Sequence, residues 1–255
     1  MYRPLYFQLP AADPAQLAKF YSDVFGWKIG LLPGMENIWS IYTGPFDHPG
    51  MNGMIMGKFM DCAVNTMEVP DVQACIETAV KHGGKVITPL QFIVGMGDFA
   101  WIADPDGNMF VPMKRHPDFE KTFCANLPDG YEILKDAPRP IHFEIPATDI
   151  PKLCEFYAKV LNWTSSKWSG PFDYYFLMTG DENSAGIDGA VSLKTENEHT
   201  VNTIGVDNLN KYLEKITALG GKQVTEAHPI EGVGLFCYCA DPEGNQFGLM
   251  QFQAH

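Results

Sequence analysis

The octapeptide ADPDGNMF, residues 103–110, returns almost unchanged as ADPEGNQF at residues 240–247. In each copy proline is preset for the second position of a type I turn, glycine supplies a positive φ, and Asp and Asn bond nearby backbone amides. Each octapeptide is therefore expected to be a hairpin turn between two antiparallel strands. A calcium-type acidic loop would need several more oxygen ligands at regular spacing, and none follow.

Working outward from the turn, further blocks repeat in the same order. LYFQLPAAD (5–13) answers IHFEIPATD (141–149), and FYSDVFGW (20–27) answers FYAKVLNW (156–163), both at a shift of 136. GMNGM (50–54) answers GIDGA (186–190) at 136, and VNTMEV (64–69) answers VNTIGV (201–206) at 137. Blocks in one order at a nearly constant shift mean a tandem duplication. The boundary falls in the charged, proline-containing stretch 114–140, so the expected division is 1–116, a linker at 117–139, and 140–255.

Each half then reads as short elements. A strand at Leu5–Leu9 precedes Asp13-Pro14, a cap and first-turn proline. Leu17, Phe20, Tyr21, Val24 and Phe25 follow at the spacing of an amphipathic helix, closed by Gly26 and, in the second half, by Asn162. IWSIYTG and GMIMG read as strands. VNTMEV then opens a second round, with a helix from Pro70-Asp71 to Gly83-Gly84 and strands near Lys85–Thr88 and Phe99–Ala103. Strand, helix, strand, strand, strand occurs twice per half.

Composition narrows the function classes. The chain has 255 residues, 45% of them apolar, enough for a substantial core. Its formal charge of −13, from 18 basic and 31 acidic residues, repels nucleic-acid backbones and anionic lipid surfaces, so neither nucleic acid nor membrane is expected as a partner. There is no apolar run of membrane-spanning length and no basic-then-apolar leader, which makes a cytoplasmic location the expectation. The six cysteines form no CxxC pair and read as buried thiols.

The four βαβββ units, the paired DPAQLAKFYSDVFGW and DIPKLCEFYAKVLNW helices, and the terminal DPDGNMF and DPEGNQF turns resemble the vicinal oxygen chelate superfamily of glyoxalases, extradiol dioxygenases and bleomycin resistance proteins. The resemblance spans almost the whole chain. It implies an α+β fold of two tandem glyoxalase-like domains, each pairing two units into a curved mixed sheet that encloses a cup. Catalytic members hold one divalent metal by His, Gln or Glu from the first and last strands of the units. Those positions fall here on Tyr6, Val64 and Val111 in the first domain, and on His142, Val201 and Gly248 in the second. Only His142 is a good ligand, with His199 and Glu144 as conceivable supplements, so the expectation is no complete metal site. A divalent metal at His142 is the alternative.

Without a metal, His142 reads as a half-buried histidine bonded to a neighbour such as Glu144. If that pair faces the cup, it could serve as a base or orient a polar ligand. Aromatic residues at alternating strand positions, Trp39, Trp101, Tyr175, Phe236 and Tyr238, are the candidate lining for a small hydrophobic or aromatic molecule. The expected function is thus a small-molecule binding protein. The alternative is a glyoxalase-type lyase or isomerase, or a dioxygenase, centred on His142 and Glu144. A homodimer is also considered, because cups in this superfamily form within one chain or across two.

Overall fold

The computed structural model describes the chain except for residues 1, 132, 133, 135, 136, 171, 195–198, 254 and 255; part of the expected linker thus lies outside the described residues. The first half runs β1 (Pro4–Ala11), α1 (Pro14–Phe25), β2 (Lys28–Leu31), β3 (Ile38–Tyr42), β4 (Asn52–Gly57), β5 (Val64–Glu68), α2 (Val72–Lys81), β6 (Lys85–Ile93), β7 (Gly97–Ala103) and β8 (Met109–Arg115). A short helix, α3 (Phe119–Cys124), follows. The second half runs β9 (Pro140–Ala147), α4 (Ile150–Leu161), β10 (Thr164–Lys167), β11 (Tyr174–Met178), β12 (Asp188–Leu193), β13 (Val201–Gly205), α5 (Leu209–Ala218), β14 (Lys222–Gln223), β15 (His228–Ile230), β16 (Gly234–Ala240) and β17 (Gln246–Phe252).

Local chemistry sets the helix ends. The Asp13 side chain accepts from the Gln16 amide and the Asp149 side chain from the Lys152 amide, satisfying donors that an uncapped helix would leave orphaned. Gly26 and Asn162 both take the left-handed conformation that ends their helices, at φ 76° and 57°. Asn162 is the one non-glycine residue with positive φ among those described.

The strands form two mixed sheets of the same order, β2-β3-β4-β1-β5-β8-β7-β6 and β10-β11-β12-β9-β13-β17-β16-β14, with β15 on β16. Within each sheet the two units join through an antiparallel pair, β1 with β5 and β9 with β13. Side chains alternate across a strand. Phe7 and Leu9 of β1, and Phe143 and Ile145 of β9, therefore point to the helix-bearing face, in one apolar core shared by both halves. In that core α1 meets α5 and α2 meets α4, so the sheets stand back to back and their cups open away from each other.

The octapeptide turns hold this arrangement. Each is the expected hairpin, with Gly107 at φ 91° and Gly244 at φ 92°. Each also reaches across the duplication. Tyr157 of α4 donates its hydroxyl to Asp104 at 2.8 Å, and Tyr21 of α1 donates to Asp241 at 3.0 Å. The Asn108 amide donates to the Pro146 carbonyl at 2.9 Å and the Asn245 amide to the Pro10 carbonyl at 3.0 Å. Asn65 and Asn202 exchange two 2.8 Å bonds where the two sheets meet.

Burial pushes the Asp104 and Asp241 carboxyls above the usual carboxylate range, against the pull of these hydrogen bonds. Removing one donor leaves a buried carboxylate short of a partner. Tyr157→Phe should therefore cost about 1–3 kcal/mol of unfolding free energy, read by urea denaturation, with a similar loss in Tyr21→Phe. No loss in either variant would show that the crossed bonds contribute nothing net.

Candidate functional site

The two cups are built alike and filled differently. In the first, Tyr6 occupies the first-strand position and is 2% exposed. Its ring packs against Phe119 and Phe123 of α3, with centroids 5.0 and 5.9 Å apart, and its hydroxyl accepts from Arg115 at 3.1 Å. Arg115 in turn grips Glu68 with two 2.8 Å bonds. Deeper in, Trp101 packs with Met60, Val64 and Val111, and Phe59 lies edge-on to it at 5.2 Å. The segment read as a linker thus contributes a helix that closes the first cup. The spacing of Phe119 and Phe123, four residues apart, was its available signal.

In the second cup the matching positions are half-buried. His142 and Glu144 both project from β9 into it, alternating with the core residues Phe143 and Ile145. His142 Nε2 lies 2.7 Å from the Tyr174 hydroxyl, and that hydroxyl lies 3.2 Å from Glu144 Oε1. Tyr238 donates to Glu144 Oε2 at 2.7 Å. The neighbour of His142 is therefore Tyr174, which bridges to Glu144. Phe236 stacks edge-on to Tyr238 at 4.8 Å on one wall, and Phe176 edge-on to Tyr174 at 5.4 Å on the other.

Register redistributes the aromatic residues chosen from the sequence. Trp101 faces the first cup; Phe236 and Tyr238 face the second. Trp39 and Tyr175 face the other way, packed against the helix-side core, because Trp39 is opposite Ile55 and Tyr175 opposite Val191, both core residues. Their neighbours in sequence, Tyr174 and Phe176, line the second cup instead. In the run YYFL all four positions are large and apolar or amphipathic, so alternation alone does not choose a face. His199 is not beside His142: it sits exposed in a bend ahead of β13, lining a cavity of about 220 Å³ between the halves with Cys62 and Thr200.

Burial pulls the His142 imidazole below its ordinary value, partly opposed by the charges of Glu144 and Asp188 and by a hydrogen bond to the Asp188 backbone. The ring is neutral at pH 7. Asp188 is otherwise engaged, accepting from the Thr179 amide at 2.8 Å and hydroxyl at 2.9 Å, with Arg3 3.6 Å away.

The residues do not fit the divalent metal that the fold implies. A catalytic transition-metal site takes about three protein ligands. Among the described residues no three His, Cys, Asp or Glu side chains converge. Opposite His142 in register stands Thr203, and beyond it Gly248. A Cβ at Gly248 would lie 2.5 Å from Thr203 Oγ1 and 2.8 Å from the Phe236 ring, so a ligating side chain has no room where the family carries a glutamate.

Two outcomes test this geometry. Gly248→Ala should destabilise the protein by about 1–3 kcal/mol through overpacking, measured by thermal or urea unfolding; a neutral effect would mean that the Phe236 ring moves freely. His142 should titrate below 6.5 by NMR, and lower still in Glu144→Gln, which removes a charge favouring the imidazolium. Because the unfolded chain takes up this proton more readily, the His142 contribution to stability is whole above pH 6.5 and is lost as pH falls through the lowered folded-state value. An unshifted titration would contradict the burial.

A family model described as Glyoxalase/Bleomycin resistance protein/Dioxygenase superfamily matches residues 3–111 and 139–249. The chain is 25% identical to the putative glyoxylase CFP32 of Mycobacterium bovis and of Mycobacterium tuberculosis, over 97% of its own length and 94% of theirs. Its fold is similar to that of the 2,3-dioxygenase LapB from Pseudomonas sp. KL28, with a TM-score of 0.66 at 14% identity over 99% of this chain and 93% of that one. It is also similar to a Mn(II)-bound glyoxalase from Novosphingobium aromaticivorans, at 0.62 and 16% over 98% and 83%. With the matched segments covering both βαβββ pairs, the chain belongs to the Glyoxalase/Bleomycin resistance protein/Dioxygenase superfamily.

Proposed function

We propose that the chain is a small-molecule binding member of this superfamily, that its ligand sits in the second cup, and that it binds without a complete metal site. One observation carries the reading. Equivalent positions on one duplicated scaffold are packed shut in the first cup and only half-buried in the second, where a hydrogen-bonded polar group sits between two aromatic walls. A few convergent polar atoms inside an apolar surround are what orients a bound small molecule. Phe236, Tyr238, Tyr174 and Phe176 would cover its faces, and Glu144, through its tyrosines, would meet its polar end.

The competing reading, glyoxalase-type or ring-cleaving chemistry at His142 and Glu144, needs metal ligands that β13 and β17 do not offer. Both Glu144 oxygens are already engaged by tyrosyl hydroxyls. Among the described residues no helix is long and apolar enough to cross a membrane. A cytoplasmic setting agrees with six cysteines that remain free thiols.

The test pairs elemental mass spectrometry of the untagged protein with a thermal-shift screen of neutral aromatic compounds. Metal well below one equivalent, unchanged in His142→Ala, together with ligand-induced stabilisation that is lost in Phe236→Ala, is the expected result. About one equivalent of nickel, zinc, iron or manganese that disappears in His142→Ala would replace this reading with the enzymatic one.

A further inference from the structure

Resting on the second cup as the binding site, we infer that its ligand is an organic cation, a quaternary or protonated amine carried on an apolar or aromatic body. Glu144 is the carboxylate at the centre of the cluster. It lies on β9 near the middle of the sheet, half-buried, and among the described residues no lysine or arginine forms an ion pair with it. Its neighbour Asp188 has Arg3. A carboxylate withdrawn from water without a counter-charge is costly, and a cation supplied by a ligand relieves that cost.

Among the described residues the hydrogen bonds to Glu144 come from two tyrosyl hydroxyls. A carboxylate offers about four lone-pair sites, so acceptor capacity remains for a donor from outside. His142, neutral through burial, adds no positive charge to repel one.

The walls match the same chemistry. Tyr174 and Phe176 stand on the β11 side of Glu144, Phe236 and Tyr238 on the β16 side, and Trp168 extends the first wall with its ring 6.1 Å from Tyr174. Aromatic faces carry negative potential and attract a cation within about 6 Å. Rings on both sides of an uncompensated carboxylate form a box that suits a positive, weakly hydrated headgroup better than a neutral or anionic one. The first cup lacks the combination: its residue at the Glu144 position is Gln8, whose amide donates to Thr66 beneath a closed apolar packing. The formal charge of −13 steers cations toward the whole molecule.

The experiment is an NMR or calorimetric titration of the full chain with phenyltrimethylammonium chloride, benzyl alcohol and sodium benzoate. The cation should bind at least about tenfold more tightly than benzyl alcohol, and benzoate should not bind detectably. In Glu144→Gln that preference should fall to within about twofold; in Glu182→Gln, an exposed carboxylate elsewhere, it should persist.

Phe236→Leu guards against a Glu144 variant that fails to fold. It keeps apolar bulk but removes one π face, and should weaken the cation several-fold while leaving benzyl alcohol within about twofold. Benzyl alcohol binding as well as the cation, with both lost in Phe236→Ala, would overturn the charge assignment and leave the cup standing as a neutral aromatic site. Tight cation binding that Glu144→Gln and Phe236→Leu leave untouched would also overturn it. Failure of all three probes would overturn both the cation and the cup.

Discussion

The structure depends on two buried carboxylates, each completed by the other half of the chain. Asp104 and Asp241 organise their own turns by accepting from backbone amides and from Asn108 or Asn245, and each then takes a tyrosyl hydroxyl from the opposite helix. A buried carboxylate that loses a donor is penalised far more than an exposed one. The crossed bonds therefore tie correct folding of one sheet to correct docking of the other. Close approach is the second half of the constraint. Phe156 lies over Gly84 and Phe20 over Gly221, where a Cβ would stand 3.2 and 3.1 Å from the incoming ring. A two-domain protein with this contact behaves as one packed body, and its cups are forced outward.

That geometry explains where the duplicated halves agree and where they part. Tyr21 and Tyr157, Trp27 and Trp163, Asn65 and Asn202, and the Asp and Asn of the two turns all lie on the shared side, hydrogen-bonded beyond their own half, and are the same residue types in both copies. On the cup side Arg3 still reaches Asp188 across the halves, but the positions that follow differ between the copies. Tyr6 corresponds to His142, Gln8 to Glu144, Ile38 to Tyr174, and Val111 to Gly248 in the duplication. One cup has become a filled core, with Phe119 and Phe123 supplying the volume. The other has polar groups at half-buried positions, so the two copies differ most where the interface between the halves does not tie them together.

Legibility in the sequence follows the same division. The helices, their caps, the hairpin turns and the unit order were readable because local rules write them: Asp before proline, apolar residues at three-four spacing, glycine or asparagine at the left-handed end. His142 and Glu144 were readable as a facing pair because two residues on a strand share a face. What was not readable needed register. Trp39 and Tyr175 alternate with apolar neighbours as lining residues would, yet only the pairing of β3 with β4 and of β11 with β12 fixes which face points inward. The closure of the first cup by α3 was also hidden, since a two-turn helix in a charged stretch carries almost no periodic signal. One strand also ran longer than its motif: β6 continues to Ile93, five residues past Thr88, as an exposed edge.

The chemistry of the second cup turns on the direction of its hydrogen bonds. Burial pushes the Tyr174 hydroxyl well above its ordinary value, so it stays protonated and acts as a donor within the network. Tyr238 donates likewise to Glu144. The Tyr238 proton is spent on Glu144 and the single Tyr174 proton lies between His142 and Glu144, so what the cluster turns outward is acceptor capacity. An anionic or carbonyl-rich ligand would have to break these bonds before gaining any, whereas a group that donates, or that carries positive charge, adds to them. What Glu144 lacks for holding a metal is companions, since no three His, Cys, Asp or Glu side chains converge among the described residues. The glutamate that sits where a glyoxalase-like cup has its floor is here an anchor for side chains and an acceptor for whatever enters.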